Sequence, residues 1–180
     1  VNRQDSKGLF GNLEMGYEMG APATAVRAHE ELFAYWASRR EGGRLPGRSQ
    51  IHPDDFKRHL PTVSLIDVHR DPATGERSYR QRLAGTGLYS VYGREITGRT
   101  LEEVYNASAA QYWQGELDKV VESGRPGVGF HNLDWRGAGH MSILWLRLPL
   151  ASNGAEVDMI LGYDALVGQL DAGISGIRAA

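Results

Sequence analysis

The sequence predicts an α+β fold: a five-stranded antiparallel sheet with helices on one face and an N-terminal helical extension. Three observations predict it. Two strand-like runs, Thr62–His69 and Arg77–Ala84, are joined by the hairpin-sized turn Asp71-Pro72-Ala73-Thr74-Gly75. The stretch RLAGTGLYSVYGREITGRTLEEVY, Arg82 to Tyr105, then places four glycines in fourteen residues, between Gly85 and Gly98. Glycines at those places call for tight turns around small helices, where φ is positive or the backbone packs closely. Three further strand patterns complete the chain after one long helix, and short connections between strands favour antiparallel pairing.

In chain order, residues 1–21 are glycine-rich and weakly patterned, which reads as a flexible N-terminal segment. A helix follows over Pro22–Arg40. Proline suits its first position, and Val26, His29, Phe33, Trp36 and Ala37 recur on one face before Gly42-Gly43 ends it. That stripe needs an apolar partner, so Val26, Phe33 and Trp36 are candidate contacts of a homodimer. Burial of the same stripe against the outer face of the sheet within one chain is the competing outcome. After a loop stiffened by Pro46 and Pro53, Asp54 and Asp55 open a short helix, where acids complement the dipole, and Pro61 closes it. The expected organisation is a helical extension over 22–61, the main domain over 62–167 and a tail over 168–180.

A second helix starts at Thr100. A long helix runs over Ser108–Ser123, with Ser108 and Gln111 spaced as a capping box. Trp113, Leu117, Val120 and Val121 line one face, and Gly124 and Pro126 end it. Val128–Trp135 and His140–Leu150 read as strands separated by Arg136-Gly137-Ala138-Gly139. The second is apolar on both faces, as expected of a central strand covered on both sides. Asn153-Gly154 signals a type I′ hairpin into Glu156–Leu166, where Val157, Met159, Leu161, Tyr163 and Ala165 alternate onto one face.

Bulk composition narrows the function classes. The net charge of −2 gives no support for a nucleic-acid or membrane-surface partner. No apolar run approaches the length of a membrane span. The absence of cysteine removes disulfides, thiolate zinc sites, iron–sulfur clusters and cysteine nucleophiles, and fits a cytoplasmic location. Asn106-Ala107-Ser108 matches a glycosylation sequon, but without a secretion signal it reads as a helix cap.

Within this order of elements, Tyr35-Trp36, Gly43-Arg44, Pro46, Arg48, Pro53 and Leu60-Pro61 precede YRQRLAGTGL and GREITGRTL, with LPL and Asn153-Gly154 later. In these residues the chain resembles the PAS domain superfamily, and within it a group of small, mostly stand-alone bacterial PAS-like proteins common in alphaproteobacteria. The resemblance covers Tyr35 to Leu166. It implies a PAS-like fold and a non-catalytic sensory or regulatory role in bacterial signalling, through small-ligand binding, protein–protein contact or both. Output is expected through an unidentified protein partner, because no kinase, cyclase or DNA-binding segment is attached.

Light-sensing relatives with flavin or coumaroyl adducts use a cysteine, and haem-binding relatives often use a histidine on the long helix. This chain has no cysteine, and its Ser108–Ser123 helix has no histidine. No haem or covalent chromophore is therefore expected, whereas a non-covalent flavin or an organic acid is allowed.

The resemblance locates a pocket between the inner sheet face and the small helices. Tyr89, Tyr92, Trp113, His131 and Trp145 are its candidate lining; ordinary core packing with each polar tip satisfied is the alternative reading. His52, Asp54, Asp55 and His59 form an H-x-D-D-x-x-x-H run that lacks a third converging zinc ligand, and a helix start explains the acids as well. Arg44 and Arg48 flank Pro46 and could clamp a carboxylate or phosphate, or simply pair with acids of the chain. Gly85-Thr86-Gly87 lacks the spacing of a phosphate-cradling loop. Two alternatives stand beside the signalling role: a small-molecule carrier, and an enzyme on a PAS-like or cone-shaped fold with His131 or His140 as base.

Overall fold

The computed structural model of the chain describes residues 21–168. The flexible segment and the tail read from the sequence fall almost wholly outside the described residues. Helix α1 spans Ala23–Ser38. Two 3-10 stretches follow, Arg48–Gln50 and Pro53–Thr62. Then come β1 (Val63–Arg70), β2 (Arg77–Ala84), the short helices α2 (Leu88–Tyr92) and α3 (Leu101–Val104), and the long α4 (Ala107–Ser123). Strand β3 (Gly127–Leu133), a 3-10 turn (Asp134–Arg136), β4 (Ala138–Leu150) and β5 (Met159–Gly168) complete the order. The five strands pair antiparallel in the order β2-β1-β5-β4-β3, so the first and last strands lie side by side at the centre.

Alternation sorts the side chains between two faces. Val63, Leu65, Leu146, Leu148, Leu161 and Tyr163 share the outer face through their register, while Ser64, Ile66, Trp145, Arg147 and Asp164 share the inner one. Helices α2–α4 cover the inner face. Tyr79 of β2 donates to Asp118 of α4 at 2.6 Å, and Tyr92 of α2 donates to Asp164 of β5 at 2.8 Å. Helix α1 covers the outer face: the Trp36 Nε1–H donates to the Pro149 carbonyl at 2.8 Å, and His29 meets Tyr163 edge-on at 5.1 Å.

The α1 stripe offered above as a homodimer contact is covered within the chain, with Val26 at 0%, Phe33 at 4% and Trp36 at 0% exposure. Two apolar faces on one chain meet at a far higher effective concentration than faces on separate molecules. In this arrangement the chain's own sheet takes the place of the apolar partner that the stripe needs.

Several local readings shift for identifiable reasons. The long helix is capped by Asn106, whose side chain accepts from the Ala109 N–H at 2.9 Å, rather than by a Ser108/Gln111 box. The Thr100 start carries the box instead, the Thr100 N–H donating to Glu103 at 2.8 Å. Asn153-Gly154 turns the chain without closing a two-residue hairpin, because β4 ends at Leu150 and β5 begins only at Met159. There the Asn153 side-chain oxygen accepts from both Ala155 and Glu156, a local bond that competes with the ladder. Among the glycines, Gly93 caps α2 at φ 71°. Gly85 instead serves close approach: a Cβ there would run into the carbonyl oxygens of Leu60 and Pro61.

His29 is fully buried under the sheet, with Nδ1 2.8 Å from the Ala25 carbonyl, and burial pushes its pKa down to about 4. Between that value and 6.5 the unfolded chain binds the extra proton and the folded chain does not, so stability rises with pH across this window. Acidification from pH 7 toward 4 should therefore remove about 3 kcal/mol on account of this residue. Urea unfolding at stepped pH checks it: His29→Leu should flatten the curve between pH 6.5 and 5, above most carboxylate titration.

Candidate functional site

The inner face is organised around two charges that the strands bring together. Arg147 on β4 pairs in register with Gly162, and Asp164 on β5 pairs with Trp145, which makes the two charges diagonal neighbours. Gly162 leaves the guanidinium room, since a Cβ there would stand 3.2 Å from its Nη1. Both residues are 1% exposed, with Nη1 2.8 Å from the Asp164 Oδ1. Tyr92 donates to the other carboxylate oxygen, so Asp164 is satisfied on both sides. Burial opposes the charge on Arg147, but Asp164 and Tyr92 more than offset it and hold the guanidinium protonated. Its Cζ lies 4.7 Å from the centre of the Trp113 ring and 5.8 Å from that of Trp145, cation–π placements that supply further compensation.

Aromatic rings close around this pair. Trp113 meets Trp145 at 5.5 Å and stacks on Tyr105 at 5.9 Å, and Tyr105 meets Trp135 edge-on at 4.9 Å. Two small residues of β3 let Trp145 lie flat over that strand, for a Cβ at Gly129 would come within 2.7 Å of the indole. Trp145 donates to the Tyr112 hydroxyl at 3.1 Å, and His131 stacks on Tyr112 at 4.3 Å. Burial raises the pKa of the Tyr92 and Tyr105 hydroxyls and lowers that of His131, so each is held neutral near neutral pH.

Tyr92, Trp113, His131 and Trp145, named from the sequence, are therefore brought together. Tyr89 is not: it is 60% exposed. The buried face of α2 is Leu88, Val91 and Tyr92, an i, i+3, i+4 set, which turns Tyr89 outward. Sequence reading missed Arg147, Asp164, Tyr105, Tyr112 and Trp135. A signal for the first two was present: a lone arginine in the apolar run Ile143–Leu150 and a lone aspartate in the last strand each demand a partner if buried.

The remaining sequence candidates separate. Asp54 pairs with Lys57, Asp55 with Arg39, and His59 with Glu31, and among the described residues no three metal-ligating side chains gather. Arg44 donates to the Asn153 carbonyl and Arg48 to the Ile51 carbonyl, so they do not form one clamp. Gly85-Thr86-Gly87 packs against Pro61 rather than presenting an open cradle. His140 lies exposed near the start of β4, and the His131 Nε2 has no hydrogen-bond partner. Among the described residues neither is hydrogen-bonded to a carboxylate.

A cavity of about 500 Å³ lies elsewhere, between the Pro53–Thr62 stretch and the outer faces of β1 and β2. Neither it nor the other cavities described is lined by Tyr92, Trp113 or Trp145.

A family model described as PAS domain matches residues 24–165. No curated protein matches the chain. Among solved structures the chain is similar to RsLOV at 16% identity and a TM-score of 0.45, covering 67% of this chain and 66% of that one. It is similar to an RNA-binding light-oxygen-voltage receptor at 12% identity and 0.48, covering 73% of this chain but 37% of the receptor. A fungal LOV domain photoreceptor aligns at 16% identity and 0.45, covering 77% of this chain and 90% of that one.

Proposed function

We propose that the chain, which belongs to the PAS domain family, signals through contact with a partner protein rather than through a cofactor held inside its sheet. PAS domains are sensory signalling modules, and the family assignment carries that much by itself. One observation supports the finer reading: Tyr92, Trp113 and Trp145, at 2%, 1% and 2% exposure, interlock with the Arg147–Asp164 pair over the inner face. Rings and an ion pair occupy the space an interior ligand would need. An interior built in this way transmits strain between the helices and the sheet, because close-packed cores are not continuously deformable. Any signal then enters and leaves at the surface.

No catalytic step belongs to this reading. The carboxylate of Asp164 is engaged by Tyr92 and Arg147, and among the described residues no acid is hydrogen-bonded to the neutral His131.

The test is an absorption spectrum and a native mass spectrum of freshly purified full-length chain. Neither a Soret band nor a flavin band is expected, and no aromatic cofactor should travel with the folded protein. A stoichiometric flavin or haem would overturn the proposal.

A further inference from the structure

We propose that the groove on the outer face is a binding site for an amphipathic carboxylate, a fatty acid or a similar acid with a chain-like apolar body. The groove runs between the Pro53–Thr62 stretch and strands β1 and β2, encloses about 500 Å³ and is walled by Phe56, Leu60, Leu65 and Leu83. That volume lies in the range of small-molecule sites, as does its make-up of apolar walls with few polar groups. Leu83 is 47% exposed, one of two large apolar side chains so uncovered among the described residues. The cross-strand pairing of Leu83 with Leu65, and of Leu65 with Leu161, makes a continuous apolar floor.

Charge identifies the polar end of the occupant. Arg48 and Lys57 both border the groove, and among the described residues no acidic side chain lines it. Arg48 spends one nitrogen on the Ile51 carbonyl at 2.8 Å, which steers the side chain and leaves further N–H groups to donate. It has no ion-pair partner among the described residues. Lys57 reaches only the well-exposed Asp54, at 3.3 Å. An apolar slot with two cations at its border and no acid of its own matches a carboxylate on a hydrocarbon tail. A neutral hydrocarbon would leave the cations unused, and a polar metabolite would leave the walls unpaired.

The site also has a mechanical outlet. Phe56 meets Tyr35 of α1 at 5.1 Å, and the Tyr35 hydroxyl accepts from the His52 N–H at 2.8 Å. An occupant pressing on Phe56 therefore bears on the helix that covers the outer face.

This inference stands apart from the reading of a filled interior. Isothermal titration calorimetry of the full chain with decanoate, with 1-decanol as the uncharged control, tests it. Decanoate should bind saturably at a single site. Arg48→Gln should weaken decanoate by about tenfold or more, the loss of one charge-assisted contact, while leaving decanol unchanged. Leu83→Glu should abolish saturable binding of both probes without moving the thermal midpoint. Absence of saturable decanoate binding to the full chain would overturn the proposal, as would binding that survives Leu83→Glu or an Arg48→Gln effect equal for both probes. A flavin spectrum alongside decanoate binding that Leu83→Glu removes would sink only the filled interior. Decanoate binding that ignores Leu83→Glu but responds to Trp113→Ala would sink both.

Discussion

Replacing Asp164 with alanine should destabilise the domain by about 3–5 kcal/mol, the range for stranding one charge of a buried pair. The effect has two parts. Arg147, at 1% exposure, loses its counter-ion and can reach no water. The Tyr92 hydroxyl, itself buried, loses its acceptor at the same time. The double variant Arg147→Met/Asp164→Leu should recover most of the loss, because it removes both charges and restores apolar volume. Its recovery should be incomplete, since Tyr92 still lacks an acceptor and the cation over Trp113 is gone. Equilibrium urea denaturation of the three proteins reads this directly. A loss under about 1 kcal/mol in Asp164→Ala would mean the pair is solvated rather than buried.

Trp113→Ala should cost about 3–5 kcal/mol, as expected when a large side chain leaves a close-packed core. Trp113 is 1% exposed and touches Tyr105, Tyr112, His131 and Trp145 ring to ring, with Arg147 above it. Neighbours held on four sides cannot collapse into the space, which places the variant toward the upper end of the range. Decanoate affinity should stay unchanged, because the groove is on the opposite face of the sheet. Thermal and urea unfolding measure the first effect and calorimetry the second. If the ring lined an occupied pocket instead, stability would fall little and ligand affinity would fall much. The contrast separates a plug from a lining.

A sheet whose inner face carries an arginine and an aspartate needs something to shield them, and here tryptophans and tyrosines of α2, α4 and the Asp134–Arg136 turn do so. The outer face is divided. Helix α1 takes the β4–β5 side, sealed by Trp36 on the Pro149 carbonyl. The β1–β2 side is left to the shorter Pro53–Thr62 stretch, which covers it incompletely and leaves the groove.

The succession of elements along the chain, the glycine-bounded small helices and both long helices were legible in the sequence, because each depends on periodicity and turn chemistry within a short window. Strand β2 was read with its observed bounds, and the remaining edges moved by a residue or a few. The exceptions were local bonds that outcompete regular structure: Asn106 capping α4 ahead of Ser108, and Asn153 holding a longer turn than a two-residue hairpin. The site was legible only in part. Tyr92, Trp113, His131 and Trp145 could be named because aromatic side chains beside a sheet have few places to go. Tyr89 could not be told from Tyr92, since one turn of helix is too short to show which side faces inward.

What the sequence by itself determined was therefore the set of elements and their type. Only the tertiary structure decided what those elements enclose. The meeting of Arg147 with Asp164 depends on the register between β4 and β5, and a one-residue slip would carry either charge to the opposite face. Burial of the α1 stripe against its own sheet rather than a second copy was likewise a choice between two apolar surfaces of equal appearance in sequence. The groove exists because the Pro53–Thr62 stretch stops short of β2, a matter of how far one element reaches across another. Periodicity reports which side of an element is apolar; it carries no information about what that side meets, because contact is set by the relative placement of segments distant in the chain.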